Sequence, residues 1–241
     1  MTPPLFLIDE LPGGDELQLT GDEGRHAARV KRIGAGEAIL VSDGRGVLLD
    51  CTVAAVTPDG LTLHVDRRRS VAAPEPRIVV VQALPKGERA ELAVELLTEL
   101  GVDEIVPWAA ARSIAQWHGA RGDKALEKWR RTVREAAKQS RRAWVPVVSS
   151  PASTDDVVAR LAGASGLVLH GAATTTLAAA PLAGGDVVLI VGPEGGVDPA
   201  ELAAFEAAGA CAVRLGETVL RTSTAGAAAL AALSPRLGRW S

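Results

Sequence analysis

The chain has 241 residues, 47% of them hydrophobic, and a net charge of −3, so burying a core is not limiting and a globally basic nucleic-acid binder is excluded. No apolar run reaches the roughly 18 residues of a membrane span, and the N-terminus MTPPLFLIDE lacks the basic and apolar regions of a secretory signal, which points to the cytoplasm. Cys51 and Cys211 each sit alone in an apolar segment, as free thiols do in a reducing compartment, and four scattered histidines without a cysteine pair predict no metal site.

Residues 1–66 read as short strands: Leu5–Leu7, Ala38–Ser42, Val47–Val56 and Leu61–Val65. Gly13-Gly14, Asp43-Gly44 and Asp59-Gly60 are turn signals between them, and this close spacing predicts a small β-barrel. Arg25, His26, Arg29, Lys31 and Arg32 form a basic cluster, equally compatible with a solvated face and with phosphate contacts. With no tyrosine and only Phe6 and Phe205, a stacking platform for single-stranded nucleic acid is not expected. Arg67 to Pro76 is the predicted linker, because a charge run and two prolines interrupt both periodicities.

Beyond it, strand and helix alternate, which predicts an α/β domain with a parallel sheet. Strands are expected at Ile78–Ala83, Glu104–Pro107, Val147–Val148, Gly166–His170, Asp186–Val191 and Cys211–Leu215. Helices are expected at Gly87–Leu100, closed by Gly101, and at Asp123–Ser140. The latter sets Leu126, Trp129, Val133, Ala136 and Ser140 on one stripe and Lys124, Lys128, Arg131, Lys138 and Arg142 on another. With Arg130, Arg134 and Arg141 nearby, this face favours phosphate over simple solvation in an otherwise acidic chain.

The most informative stretch is Asp186 to Ala225, where two glycine-punctuated loops each leave an apolar strand and enter a helix. Gly192-Pro193-Glu194-Gly195-Gly196 precedes a helix over Pro199–Ala208, with Asp198 as N-cap. Leu215 to Arg221 precedes an Ala-rich helix over Thr224–Leu233, capped by Thr222 or Ser223. Loops at the carboxyl ends of parallel strands line ligand sites. Neither loop fits the dinucleotide or P-loop fingerprint.

VGPEGG followed by LGETVLRTSTA resembles the SPOUT class of S-adenosylmethionine-dependent RNA methyltransferases, and within it the bacterial family that methylates N3 of a uridine in 16S ribosomal RNA. His26 to Val30, Lys86-Gly87-Glu88-Arg89 with Thr98 to Val102, and Ala136 to Ser140 agree, in the family's order and over nearly the whole chain. Two positions depart from the family pattern: Val197 stands where an aromatic residue is usual, and Ser223 where a Glu is usual.

The resemblance implies a PUA-like RNA-binding domain over residues 1–70 and a SPOUT domain with a trefoil knot over 77–241. It implies an S-adenosylmethionine site among Leu169, His170, Gly171, Val191, Gly192, Pro193, Glu194, Gly195, Gly196, Leu215, Gly216, Val219, Leu220, Thr222 and Thr224. Arg221 and Glu194 are the catalytic candidates, Arg221 as an electrostatic stabiliser rather than a base. Arg25, His26, Arg29, Arg32, Lys86, Lys138, Arg141 and Arg142 are the RNA-contacting candidates, with 16S RNA or the small ribosomal subunit as partner. A homodimer is also implied, and the apolar last helix would supply part of its seam. Two alternatives stay open here: a SPOUT enzyme with another RNA target, and a non-catalytic ribosome-assembly factor.

Overall fold

Short apolar segments make the first sheet. The strands are β1 (Leu5–Leu7), β2 (Glu16–Leu19), β3 (Ala38–Ser42), β4 (Val47–Thr57) and β5 (Gly60–Ser70), in the order β1-β3-β4-β5-β2. β1 runs parallel to β3 and the other pairs are antiparallel. Alternation along the strands sends Phe6, Leu17, Leu19, Ile39, Val41, Leu49, Val53, Leu61 and Leu63 into one buried core. Between β2 and β3, α1 (Gly21–Arg25) runs directly into a π-helical turn over His26–Val30. The β4–β5 hairpin needs Gly60: its φ is +153°, and a Cβ there would lie 2.0 Å from the Leu19 carbonyl oxygen.

The computed structural model describes residues 2–87 and 89–240, so Glu88 of the Lys86–Arg89 turn lies outside it. The chain divides into two units, Met1–Ala73 with Ala137–Val145, and Pro74–Ala136 with Pro146–Ser241. Two expectations for the first half need correction. β2 was not foreseen, because its four residues carry only two apolar positions. Arg67 to Ser70 belong to β5 rather than to the linker. The charge run tolerates a strand because Arg69 pairs in a fork with Asp50 on β4, and Arg68 donates to the Pro12 carbonyl.

The second unit contains β6 (Ile78–Ala83), α2 (Arg89–Glu99), β7 (Glu104–Trp108), most of α3 (Gly119–Gln139), β8 (Val147–Val148), α4 (Thr154–Ala159), β9 (Ser165–Leu169), a 3-10 turn at Leu177–Ala179, β10 (Val187–Val191), α5 (Pro199–Ala207), β11 (Cys211–Val213) and α6 (Thr222–Leu233). The sheet order is β11-β9-β10-β6-β7-β8, with every pair parallel. One face packs Val79, Val81, Trp108, Val168, Val188 and Ile190 against Val157 of α4 and Phe205 of α5. The other is covered by α2 and α6, which pack on each other. Gly226 lets α6 come close, since a Cβ there would stand 3.1 Å from Val191 and 3.4 Å from Leu97.

Several boundaries differ from expectation. α4 was missed, although Ser153 and Asp156 form a complete capping box. β11 stops at Val213, and β9 begins at Ser165 and ends at Leu169. α6 starts at Thr222 with Arg221 as its N-cap and no side-chain cap. Thr222 is the first helical residue rather than the cap, and its hydroxyl donates to the Gly192 carbonyl at 3.1 Å. Gly226, Ala227, Ala229, Leu230 and Leu233 of α6 are buried within the chain itself. The all-apolar character of the helix is therefore used mostly internally, and a partner is not needed to explain it.

Glu104, at the start of β7, accepts from Arg77 at 2.9 Å, Arg160 at 2.8 Å and Ser149. Burial alone would raise its pKa, but the Ser149 hydrogen bond and the two guanidiniums outweigh burial and hold it below the ordinary value of 4.5. A lowered folded pKa stabilises above the unfolded pKa, and that contribution is lost as pH falls through the folded value. Urea denaturation from pH 6 downward should therefore show stability falling below about pH 4.5, with a shallower fall in Glu104→Gln.

Candidate functional site

β9, β10 and β6 end level with one another. Val191 lies opposite Leu169 on one side and Gln82 on the other. Three loops therefore leave one rim: His170-Gly171, Gly192 to Asp198, and Leu84 to Gly87. The segment from Arg214 to Arg221 joins them on its way into α6. Together they enclose a cavity of about 640 Å³.

The loops are tied to each other by specific bonds. Thr222 Oγ1 donates to Gly192 O at 3.1 Å, joining the start of α6 to the glycine loop. The Lys86 amide donates to Glu194 Oε1 at 3.3 Å, joining the β6 exit to the same loop. Arg112 reaches Gly195 O at 3.4 Å and pairs with Asp198 at 3.2 Å. Asp198 caps α5 in a capping box with Glu201. Buried Glu201 also accepts from the Ala111 amide at 2.8 Å and from Thr154 Oγ1 at 2.9 Å. Val197 is 5% exposed and packs in the core near Phe205, which is what a side chain at this position does here in place of an aromatic ring.

Of the expected cofactor residues, Leu169, His170, Gly171, Val191, Gly192, Pro193, Glu194, Gly196, Val219, Leu220 and Thr222 line the cavity, with Arg221 beside them. Gly195, Leu215, Gly216 and Thr224 do not. A Cβ on Gly195 would meet Arg112 Cβ at 3.2 Å, so this glycine gives room to a neighbouring loop instead. The Thr224 hydroxyl donates to the Arg221 carbonyl at 3.2 Å within the first turn of α6.

Lys86, expected on RNA, lines this cavity, as do Arg89, Ile114, Val197, Ser223 and Ala225, which lie outside the expected cofactor set. Ser223 and Ala225 belong to LGETVLRTSTA, Arg89 closes Lys86-Gly87-Glu88-Arg89, and Val197 directly follows VGPEGG. Ile114 belongs to a loop without any sequence signal. Lys86, Arg89 and Arg221 have no ion-pair partner among the described residues, while Glu194 is the one carboxylate among the described lining residues. The cavity thus combines aliphatic walls with cations that lack an ion-pair partner among the described residues, which suits a ligand with a flat ring to bury and an incoming anion.

In the first unit, His26 is half-buried and meets Phe6 edge-on, with centroids 6.5 Å apart. Arg25 pairs with Asp22, and Arg29 donates to Pro58 O at 3.0 Å. Arg32 is exposed in the left-handed region at φ 55°. Lys138 is largely buried and bonds Glu23 at 2.7 Å, and Arg141 donates to the Pro3 and Thr2 carbonyls. Arg142 is half-buried. Lys138 and Arg141 are therefore each engaged by a partner within the unit. Among the described residues no group of acidic, histidine or cysteine side chains could hold a metal, and no helix is long and apolar enough to cross a membrane.

Residues 73–234 match the family described as an RNA methyltransferase domain, and residues 19–66 the one described as an RNA methyltransferase PUA domain. The protein called ribosomal RNA small subunit methyltransferase E in Mycobacterium bovis is 51% identical over 247 aligned positions, covering 100% of this chain and 94% of that relative. The crystal structure of the Neisseria gonorrhoeae protein of the same name, bound to S-adenosyl methionine, superposes with a TM-score of 0.86 and 27% identity over 98% of both chains. A Legionella pneumophila methyltransferase in complex with the same cofactor gives 0.87 and 28%, again over 98% of both.

Glu201 satisfies donors from three segments around the site, so Glu201→Ala should leave buried N–H and O–H groups unpaired and cost about 1–3 kcal/mol. Chemical denaturation checks this, and a loss within error would show that water replaces the carboxylate.

Proposed function

Because this chain belongs to the ribosomal RNA small subunit methyltransferase E family, we propose that it transfers a methyl group to N3 of a uridine in 16S ribosomal RNA, using S-adenosylmethionine bound in the cavity beyond β6, β9 and β10. The observation that carries this reading is that one cavity collects the two glycine-punctuated loops, the β9 exit and an unpaired Arg221. The fit to the cofactor is good on its own terms. The volume lies in the range of small-molecule sites, and Leu169, Val191, Val197, Val219 and Leu220 give an apolar bed for an adenine ring.

S-adenosylmethionine, when bound, supplies a methyl group on a sulfonium, open to displacement by a nucleophile. The protein's own residues would do the rest. Uridine N3 carries a proton at neutral pH; that proton passes to solvent water, and its loss spreads negative charge onto O2 and O4. Arg221 stays protonated, and as an unpaired guanidinium it stabilises that charge without acting as base. Glu194 acts as a positioning residue, since its carboxylate receives the Lys86 amide and fixes one loop against another. Holding two reactants in one cavity supplies much of the remaining rate.

The reading extends to the whole architecture. The carboxy-terminal part, 77–241, is a SPOUT domain with a trefoil knot. Support comes from the path after β11, which returns from the sheet edge to lay α6 against β6, β10 and α2. The amino-terminal part, 1–70, is a PUA-like barrel that binds RNA, with Arg25, Arg29 and Arg32 on phosphates. The protein works in the cytoplasm, where the small subunit is made. It works as a homodimer, supported by the remaining open face of α6 at Thr224, Ala225, Ala228, Ala231 and Ala232, and by Val219, which is 95% exposed.

Mass-spectrometric mapping of 16S RNA from cells with and without the gene tests the function directly: the uridine N3 methyl mark should vanish without it. Gly171→Val should lower cofactor affinity about tenfold or more without loss of thermal stability, since nothing stands within 4 Å of the added Cβ. Arg221→Ala should lower kcat about 100-fold with cofactor affinity little changed, measured by calorimetry and methyl transfer. Light scattering should report a dimer mass, and Ala228→Arg should convert it to a folded monomer. A fully active wild-type monomer would overturn the dimer.

A further inference from the structure

A second cavity of about 450 Å³ adjoins the first within the same unit. The two share Ile114, which is 66% exposed. The β6–α2 turn is the other partition: Lys86 and Arg89 face the first cavity, while Pro85, Gly87 and Ala90 face the second. We propose that this second cavity takes the nucleobase of a nucleotide next to the target uridine, stacked on Trp117. The inference rests on reading the first cavity as the methyl-transfer site.

Three observations point to a nucleotide. Trp117 is half-buried and set edge-to-face on Trp129, with centroids 5.0 Å apart at 78°. Trp129 itself is 1% exposed, so the outer indole is held by a rigid neighbour. The seat is close-fitting: a Cβ on Gly122 would lie 2.9 Å from the Trp117 carbonyl carbon, so the first turn of α3 approaches Trp117 only through a glycine. Indoles held this way offer π surface to a base of any identity.

The charges fit the phosphates on either side of such a base. Arg121, lining the second cavity, and Lys86 and Arg89, on the partition, have no ion-pair partner among the described residues. Lys128 is instead held to Glu91 at 2.8 Å, which leaves those three as the available cations around the wall. Single-stranded RNA is recognised by splaying bases apart onto aromatic side chains while cations follow the backbone. Two adjoining cavities with cations on the wall between them suit two successive nucleotides. The scarcity of phenylalanine and tyrosine does not count against this, because the stacking surface is a tryptophan.

The test uses full-length protein and small ribosomal subunits lacking the modification, with steady-state methyl transfer and calorimetric cofactor titration. Trp117→Leu keeps an apolar side chain but removes the ring. It should raise KM for the subunit about 5- to 100-fold, with kcat and cofactor affinity within about twofold, and Trp117→Phe should recover most of the loss. An unchanged KM in Trp117→Leu, or equal defects in Leu and Phe variants, overturns the proposal. If Trp117→Leu loses cofactor binding and so proves misfolded, the surface change Arg121→Gln decides. It should raise KM and reduce the salt slope of subunit binding by about one, and no change in either overturns the proposal. Failure of the underlying function looks different: the wild-type protein would then methylate no subunit at all.

Discussion

The level ending of β9, β10 and β6 is the constraint on which the site depends. Val187 to Val191 is apolar at every position, so β10 is stable only with cover on both faces. α5 and α4 supply one cover, α2 and α6 the other. The parallel register that satisfies this also sets Val191 beside Leu169 and Gln82. A slip of one residue would exchange Ile190 and Val191 between the two faces and leave the three loops stepped instead of convergent.

The second unit treats its charges differently at its two ends. Toward the amino ends of the strands, arginines are matched: Arg77 and Arg160 with Glu104, and Arg239 with Asp103 at 2.8 Å. Around the cavities, Lys86, Arg89, Arg121 and Arg221 have no such partners among the described residues. A protein with a net charge of −3 can therefore present a locally positive surface to RNA. Four carboxylates near the cavities organise the loops and helices there: Glu194, Asp198 and Glu201 accept from backbone amides, Asp198 also pairs with Arg112, and Glu91 pairs with Lys128.

Much of the parallel sheet was legible in the sequence, because runs such as residues 78–81 and Val187–Val191 are apolar and rich in β-branched residues, and Asp198-Pro199 announces a helix start. The errors arose where local chemistry was overridden by a distant partner. Arg67 to Ser70 reads locally as linker, yet it extends β5, with Arg69 paired to Asp50 on the neighbouring strand. Thr222 reads locally as a cap, yet it is the first residue of α6 and its hydroxyl ties the helix to Gly192.

The sequence by itself determined the alternation of strand and helix, the two glycine-punctuated loops and the family to which they point, since these depend on residue type and short-range spacing. Only the tertiary structure decided which residues share a cavity. Gly195 lies between residues that line it, yet faces Arg112. Ile114 and Trp117 sit in a loop without a motif, yet line the cavities; that loop is anchored where Glu201, ninety residues from Ala111, accepts the Ala111 amide, and where Trp117 packs on Trp129. Such placements follow from long-range hydrogen bonds and sheet register, which no local pattern encodes.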